Sequence, residues 1–425
     1  MSFLLCLLLL GGPVQSEAEE PRLDPADILD ALLGGLMGLG EISGPELQKE
    51  VAEVGGIPFR SEVPLDFMSR EDLKGYLHEL VDSEYPPERA LADQRTLVGL
   101  ALLEPGADLR GIRGRVLEEN IAGFYDVRPG HKRLYAVSPN RRLSPSNQVI
   151  LAHELRHALQ DQYMDVDRAL PDSVGDFDDR RMALMSLLEG DATLVMERFL
   201  LSRLPDAVEP PGGELSGLSL PAELVAGAPP VVRDQLVLPY VAGRDFALAL
   251  WRSGGWGAIQ GAWARPPAST EQVLHPEKYR GAEAPRPVAA PYAPPGARLL
   301  NEGVLGEMLI STLVGEREGP AAAAGWGGDL YRVFDLSGRT LLVWRSVWDS
   351  SADAAEFLAA AGRRLEAERG KPRLQHGFKV FAGGGWQYAL GEWAGGVVWV
   401  STDAPEALEP ALAGVAAPSP GAGNP

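Results

Sequence analysis

The chain has 425 residues, enough for two ordinary domains, and 45% of them are hydrophobic, as in a globular protein. Its net charge of −20 argues against a nucleic-acid-binding protein, because such proteins neutralise phosphates with Lys and Arg. Cys6 is the only cysteine, so a chain cleaved behind it has no disulfide, no thiol nucleophile and no cysteine–zinc site.

The first residues predict a signal peptide over 1–16. Residues 3–12 form an apolar stretch that is too short to span a bilayer, and Val14-Gln15-Ser16 offers a cleavage site with small residues. A misassigned start or a short buried helix is the alternative. We expect a secreted, periplasmic or cell-envelope protein without an integral membrane segment in the mature chain.

Residues 17–106 are predicted to be mostly helical, because 27–33 and 70–77 show helical periodicity. Two short apolar runs at 122–126 and 133–137 flank a turn and predict a β-hairpin. This part of the chain is assigned to a domain that extends over 17–280.

An H-E-x-x-H motif follows the hairpin. Ser144-Pro145 predicts a helix start, and residues four apart on that helix share one face, so His153 and His157 can bind one metal ion, with zinc the usual occupant. Glu154 lies beside them and can act as general base toward a water molecule. The alternative is a buried helix whose histidines only form hydrogen bonds.

The third zinc ligand is assigned to Glu189. A helical, mostly apolar run at 181–197 is interrupted by Glu189-Gly190-Asp191, and a buried carboxylate needs a partner or a metal. Gly190 indicates that another backbone comes close, since a mid-helix glycine otherwise costs about 1 kcal/mol. Asp191 is the second candidate ligand, and it fits better as the acceptor of a histidine ring N–H. Asp161 could also accept a histidine ring N–H, or it could be a solvated carboxylate near the end of the helix.

The motif at 153–157 with a downstream helical glutamate resembles the gluzincin class of zinc metallopeptidases. The strings 153–162, 189–193 and 269–279 are also similar to a group of uncharacterised secreted bacterial and archaeal zinc-peptidase-like proteins. The best-known gluzincin pattern has an aspartate four residues after the ligand glutamate, where this chain has Thr193.

The resemblance implies a zincin-like fold in which Zn²⁺ is bound by two histidines and a glutamate. It also implies that the hairpin before the motif helix holds extended substrate along its edge, and the alternative is a purely structural hairpin. Gluzincins often stabilise the oxyanion with a downstream His or Tyr, which makes His275 the second catalytic residue, with Tyr279 behind it. Alternatively, Ser269 and Gln272 form a capping box, and His275-Pro276 simply ends a short helix.

A Pro/Ala-rich linker is predicted at 281–298, and a smaller α+β domain at 299–415. Its hairpin is expected at 330–334 and 340–344, its helix at 352–369 and two further strands near 378–381 and 397–401, which gives a β-β-α-β-β unit. The tail at 416–425 is expected to be disordered.

Together these features predict an α+β protein, with a mainly helical zincin-like domain and a small sheet followed by the C-terminal domain. The predicted function is an exported zinc metallopeptidase acting on peptides or proteins. Three alternatives stay open: a zinc-binding envelope protein that recognises peptides or cell-wall fragments without turnover, a structural protein without metal, and a peptidoglycan amide hydrolase.

Overall fold

A computed structural model describes residues 42–120, 123–138, 140–164, 166–169, 175–203 and 227–416, together with positions 30, 34, 35 and 40. The predicted signal peptide, most of the predicted helix at 27–33 and the tail after residue 416 lie outside these residues. The described chain is a mixed α+β protein with a large antiparallel sheet. None of its helices is both long and apolar enough to cross a membrane.

The helices before residue 281 form the larger group. They are α1 (Gly44–Val54), α2 (Arg70–Glu84), α3 (Pro87–Gly99), α4 (Leu109–Asn120), α5 (Pro145–Met164), α6 (Val166–Ala169), α7 (Asp179–Leu201), α8 (Pro230–Ala264), α9 (Thr270–Leu274) and α10 (Pro276–Arg280). Helix α8 is kinked at Gly254 and Gly255, whose backbones leave the helical region. The helices predicted at 70–77 and 181–197 are confirmed as parts of α2 and α7.

A three-stranded sheet lies beside these helices. Its strands are β1 (Leu65–Met68), β2 (Gly123–Asp126) and β3 (Arg133–Val137), in the order β1-β3-β2. Strands β2 and β3 pair antiparallel, which confirms the predicted hairpin, whereas β1 runs parallel to β3. Strand β2 is therefore an edge of this sheet, and it packs against α5.

The C-terminal part forms a seven-stranded antiparallel sheet in the order β4-β5-β6-β10-β9-β8-β7. Its elements are β4 (Arg298–Gly303), α11 (Gly306–Val314), α12 (Gly319–Ala323), β5 (Trp326–Leu336), β6 (Arg339–Trp348), α13 (Ser351–Arg369), β7 (Arg373–Gln375), β8 (Phe378–Gly383), β9 (Trp386–Trp393), β10 (Gly396–Thr402) and α14 (Pro405–Ala416).

The predicted hairpin, helix and two later strands of this unit are confirmed, but the four-stranded β-β-α-β-β arrangement is too small. The hairpin turn is tight because Ser337 and Gly338 both have positive φ, as the two central residues of a type I′ turn require. Strands β4, β7 and β9 are missing from the prediction. Strands β4 and β7 form the two edges of the sheet, and β9 lies between the predicted strands β10 and β8.

Alternation along the central strands gives the sheet two buried faces. Trp344 and Trp399 belong to the hydrophobic cluster that contains Phe357 of α13, whereas Val343 and Val398 belong to the cluster that contains α14. Successive strand residues point to opposite faces, so one helix layer covers each face.

A buried carboxylate joins α11 to this sheet. Asp329 Oδ1 accepts hydrogen bonds from the Leu305 backbone N–H (2.8 Å) and the Trp344 indole (3.0 Å). Its Oδ2 accepts from the Gly306 backbone N–H (3.0 Å) and the Trp326 indole (2.8 Å). All four partners are pure donors, so only an oxygen acceptor satisfies each of them.

Helix α3 also packs on the large sheet. The Trp399 indole donates to the Gly99 carbonyl oxygen at 2.9 Å, and Asn301 of β4 donates to Asp93 of α3 at 3.2 Å. Asp93 also accepts from the Tyr85 hydroxyl at 3.0 Å. Burial, followed by the charge of Asp176, raises the pKa of Asp93 to about 7. Helix α3 and the C-terminal sheet thus share one hydrophobic cluster, and the boundaries at 281–298 stay a prediction.

Candidate metal site

The motif lies on α5, which begins as the sequence predicts. Ser144 Oγ accepts a hydrogen bond from the Asn147 backbone N–H at 3.3 Å, and Pro145 occupies the first helical position. Every residue from 148 to 161 is buried, so the helix is enclosed on all sides rather than amphipathic. His153 and His157 stand one turn apart within this buried segment.

Helix α7 supplies Glu189 and packs against both α5 and α8. Asp178 caps its N-terminus by accepting hydrogen bonds from two backbone N–H groups of the first turn. The close backbone approach predicted at Gly190 is present, and the approaching helix is α8. A Cβ atom on Gly190 would lie 2.0 Å from the carbonyl carbon of Gly243.

Three ligand-type atoms converge between α5 and α7. His153 Nε2 lies 3.0 Å from Glu189 Oε2 and 3.0 Å from His157 Nε2, and His157 Nε2 lies 3.4 Å from Glu189 Oε2. Ligand atoms about 2.0–2.2 Å from a tetrahedral ion are roughly 3.3–3.6 Å apart, close to these separations. The sequence-predicted ligands His153, His157 and Glu189 are therefore brought together, and they could hold one metal ion.

The charges of these groups suit a cation. Burial lowers the pKa of His153 to about 4, so this ring is neutral. Burial opposes the charged form of Glu189, yet the adjacent histidines hold the pKa of its carboxyl below the ordinary value. For His157, burial is outweighed by the Glu189 carboxylate, and the pKa rises to about 9. A metal ion would replace the proton on His157 as the partner of Glu189.

One polar atom of the cluster supports the same interpretation. Among the described residues, Glu189 Oε1 is buried and has no hydrogen-bond partner. An orphaned buried carboxylate oxygen is costly, and a metal ion would offset that cost. Two nitrogens and one carboxylate oxygen are a donor set that zinc accepts.

Glu154 lies next to the candidate ligands and faces the small sheet. Its Oε2 accepts a hydrogen bond from the Tyr125 backbone N–H of β2 at 3.1 Å, and the side chain is fully buried. The edge strand and the motif glutamate are thus in direct contact. The Tyr125 hydroxyl donates to Asp161 at 3.0 Å, and Lys132 also binds Asp161.

The two candidate acceptors of a histidine ring N–H are placed differently from the expectation. Asp161 is neither solvated nor bonded to a histidine, because Tyr125 and Lys132 occupy it. Asp191 forms a bidentate pair with Arg156, with both N···O distances at 2.9 Å. The acceptor beside His157 is instead Gln160, whose Oε1 lies 2.8 Å from His157 Nδ1.

His275 is not a member of the histidine–glutamate cluster. Its Nε2 lies 3.0 Å from Glu307 Oε1 of α11, and the residue ends helix α9 as the capping alternative proposed. Ser269 caps that helix, accepting a hydrogen bond from the Gln272 backbone N–H. The Tyr279 hydroxyl donates to the Arg265 carbonyl oxygen at 2.9 Å. A role for His275 at the oxyanion stays a prediction that these contacts do not support.

Two further side chains at the site are absent from the prediction. The Tyr240 ring stacks on His153 with 5.8 Å between centroids, and the Trp263 indole donates to Asp191 at 3.2 Å. Both belong to α8, and no local pattern of that helix marks them. Arg156 could have indicated a buried acidic partner, because a charged side chain inside a largely apolar helix requires one.

Comparison with known proteins addresses only the C-terminal part. Residues 297–409 match a domain of unknown function (DUF8575), which covers the large sheet and lies outside the His153, His157 and Glu189 cluster. No curated protein and no solved structure matches the chain.

Proposed function

We propose that this protein is an exported zinc-dependent metallopeptidase of the gluzincin type. The observation that carries the proposal is the buried convergence of His153, His157 and Glu189 on two packed helices, with Glu154 beside them. Glu154 is a fully buried carboxylate beside two histidines, where it could act as a general base toward a bound water, and this placement favours hydrolysis.

In this proposal His153, His157 and Glu189 hold the ion. Bound zinc supplies Lewis acidity and lowers the pKa of water toward about 7. The Glu154 carboxylate accepts a proton from the attacking water and passes it to the leaving amine. The hydrogen bond from Tyr125 orients this carboxylate from the β2 side.

Substrate binding is assigned to the edge of the small sheet. Strand β2 is an outer strand, and its Tyr125 N–H already contacts Glu154. An extended peptide that pairs with this edge would bring its main chain next to the general base. The proposed substrate class is therefore a peptide or protein segment in an extended conformation.

One observation favours a second candidate, a zinc-binding envelope protein without turnover. His153, Glu154 and Glu189 are fully buried, and His157 is only 5% exposed. A catalytic site keeps an open position for water and substrate, whereas a structural site is closed. Zinc binding is common to both candidates, so turnover separates them.

The first experiment measures zinc in the purified mature protein and in a Glu189→Gln variant. We expect about one zinc per chain in the wild type, and in the variant a loss larger than the roughly 10- to 100-fold typical of outer-shell changes. Glu197→Gln is the matched control, because Glu197 is a buried carboxylate of the same helix that pairs with Arg244. A wild type that holds no zinc after reloading would refute the proposal.

The second experiment tests hydrolysis with a peptide library and cross-linked peptidoglycan. Glu154→Gln should keep zinc and lose about 10²–10⁴-fold in rate, the usual contribution of a general base. Cleavage of peptidoglycan alone would move the assignment to an amide hydrolase. Zinc binding without turnover of either substrate would favour the non-catalytic candidate.

Export is proposed from the apolar stretch at 3–12 and is tested separately. Expression in a bacterial host with an intact export pathway should yield a mature chain that begins near residue 17. An intact N-terminus in a cytoplasmic product would contradict this part of the proposal.

A further inference from the structure

The side chain of Gln160, three residues after His157 on α5, forms a hydrogen bond with the ring nitrogen of His157 that does not face Glu189. Gln160 Oε1 lies 2.8 Å from His157 Nδ1, and Gln160 Nε2 lies 3.0 Å from the Leu188 carbonyl oxygen and 2.8 Å from Asp191 Oδ2. Gln160 is fully buried, and it links α5 to the turn of α7 that carries Glu189.

The neighbours of Gln160 determine which way its amide faces. Arg156 donates to both oxygens of Asp191 at 2.9 Å, and the Trp263 indole donates to Oδ2 at 3.2 Å. Arginine and tryptophan are donors only, so this environment holds Asp191 as an acceptor. The Leu188 carbonyl is also an acceptor, and the NH₂ group of Gln160 must face these two oxygens.

The tautomer of His157 follows from this orientation. With its NH₂ group committed to Asp191 and Leu188, Gln160 presents a carbonyl oxygen to the ring. His157 Nδ1 must then carry a proton and donate it, which leaves Nε2 to face His153 and Glu189. The metal-facing nitrogen is thereby fixed by residues that do not touch the metal.

We propose that Gln160 is the positioning residue that holds His157 as the Nδ1–H tautomer for metal binding, and that the Arg156–Asp191 pair fixes the amide of Gln160. This inference rests on the proposed zinc site. Asp191 thus acts on His157 through Gln160.

The two histidines are held in different ways. Among the described residues, His153 Nδ1 has no hydrogen-bond partner, and its ring is covered by Tyr240. The hydrogen-bonded support of the site is therefore concentrated on His157. Loss of Gln160 should weaken zinc binding, whereas an equivalent hydrogen-bonding residue elsewhere on α5 should not matter.

The test compares zinc affinity, by chelator competition, in Gln160→Met and in the control Gln162→Met. Gln162 lies two residues further on the same helix and binds the backbone of Arg60 and Ser61 instead of a histidine. We expect a 10- to 100-fold weaker affinity for Gln160→Met only. A folded Gln160→Met protein with wild-type zinc affinity would overturn the inference.

A second measurement needs no folded variant at position 160. Two-bond ¹H–¹⁵N spectra of histidine-labelled, zinc-loaded wild type should show His157 protonated at Nδ1, with the resonance assigned by its loss in His157→Asn. A proton on Nε2 with zinc bound would overturn the inference alone. A wild type without zinc would overturn the inference and the proposed function together, so the two failures are distinguishable.

Discussion

The contact between α7 and α8 at Gly190 gives the sharpest stability prediction. A Cβ on Gly190 would lie 2.0 Å from both the carbonyl carbon and the oxygen of Gly243, and a Cβ on Gly243 would lie 2.0 Å from the Ser186 carbonyl oxygen. Carbon atoms normally pack at about 3.5–4.0 Å. Because both partners are helical backbone, no side chain can rotate away, and the helices must separate by roughly 1.5 Å.

The expected cost of Gly190→Ala follows from this separation. Overpacking a dense core typically costs about 1–3 kcal/mol, and a displaced backbone belongs at the upper end. Separating α7 from α8 also weakens the contacts around Gly190, because a gap of about 0.5–1 Å already removes a quarter to a half of the van der Waals attraction of each contact. Alanine regains about 1 kcal/mol of helix propensity. We expect a net destabilisation of at least about 2 kcal/mol.

Urea unfolding followed by tryptophan fluorescence measures this change, with Gly261→Ala as the matched control. Gly261 lies in α8, and among the described residues no neighbouring segment comes within 4 Å of the position that a Cβ would take there. That variant should be stabilised by about 0.4–1 kcal/mol. A Gly190→Ala protein as stable as wild type, beside a stabilised control, would refute the inferred close packing of the two helices.

Three further predictions concern other buried groups. Asp329→Asn turns an NH₂ group toward two N–H donors and should lower the free energy of unfolding, measured by urea titration, by about 3 kcal/mol. A variant as stable as wild type would show that the four hydrogen bonds to Asp329 do not contribute to stability. Asp93 has its folded pKa raised to about 7, so its contribution is present at acidic pH and is lost as pH rises through 7. Unfolding at pH 5 and pH 8 should therefore show Asp93→Asn gaining at least about 1 kcal/mol relative to wild type at the higher pH, and parallel curves would contradict this. Removal of zinc by a chelator should lower the melting temperature of wild type, by the equivalent of about 4 kcal/mol when zinc is 1,000-fold above its Kd, and should leave Glu189→Gln unchanged.

The three candidate ligands could be predicted because each depends on local rules. Helical spacing places His153 and His157 on one face, and the cost of burying a carboxylate in an apolar run indicates Glu189. The structure brings all three together. The glycine beside Glu189 was also informative, since it predicts the close approach of another backbone.

Residues that depend on long-range contacts could not be predicted in the same way. Gln160 resembles any polar residue of a helix until Asp191 and Leu188, from a different helix, show which way its amide faces. Tyr240 comes from α8, far along the chain from the histidine that it covers. Strand β4 was missed because its partner β5 lies beyond two helices in the chain, and β7 was missed because it has only three residues.

The burial of the site has a kinetic consequence that separates the two candidate functions. Tyr240 stacks on His153, and α8 packs its backbone against the helix that carries Glu189, so we expect that a peptide entering from this side contacts the candidate ligands only after α8 moves. If turnover requires that opening, each 1.4 kcal/mol of opening free energy lowers the observed rate about tenfold. Tyr240→Ala removes the ring over His153, and it should therefore raise peptidase turnover in an enzyme limited by opening. In a non-catalytic zinc protein the same substitution should accelerate zinc release to a chelator and leave hydrolysis at background. If an active enzyme shows no change in either turnover rate or zinc-release rate after Tyr240→Ala, then substrate enters by another route.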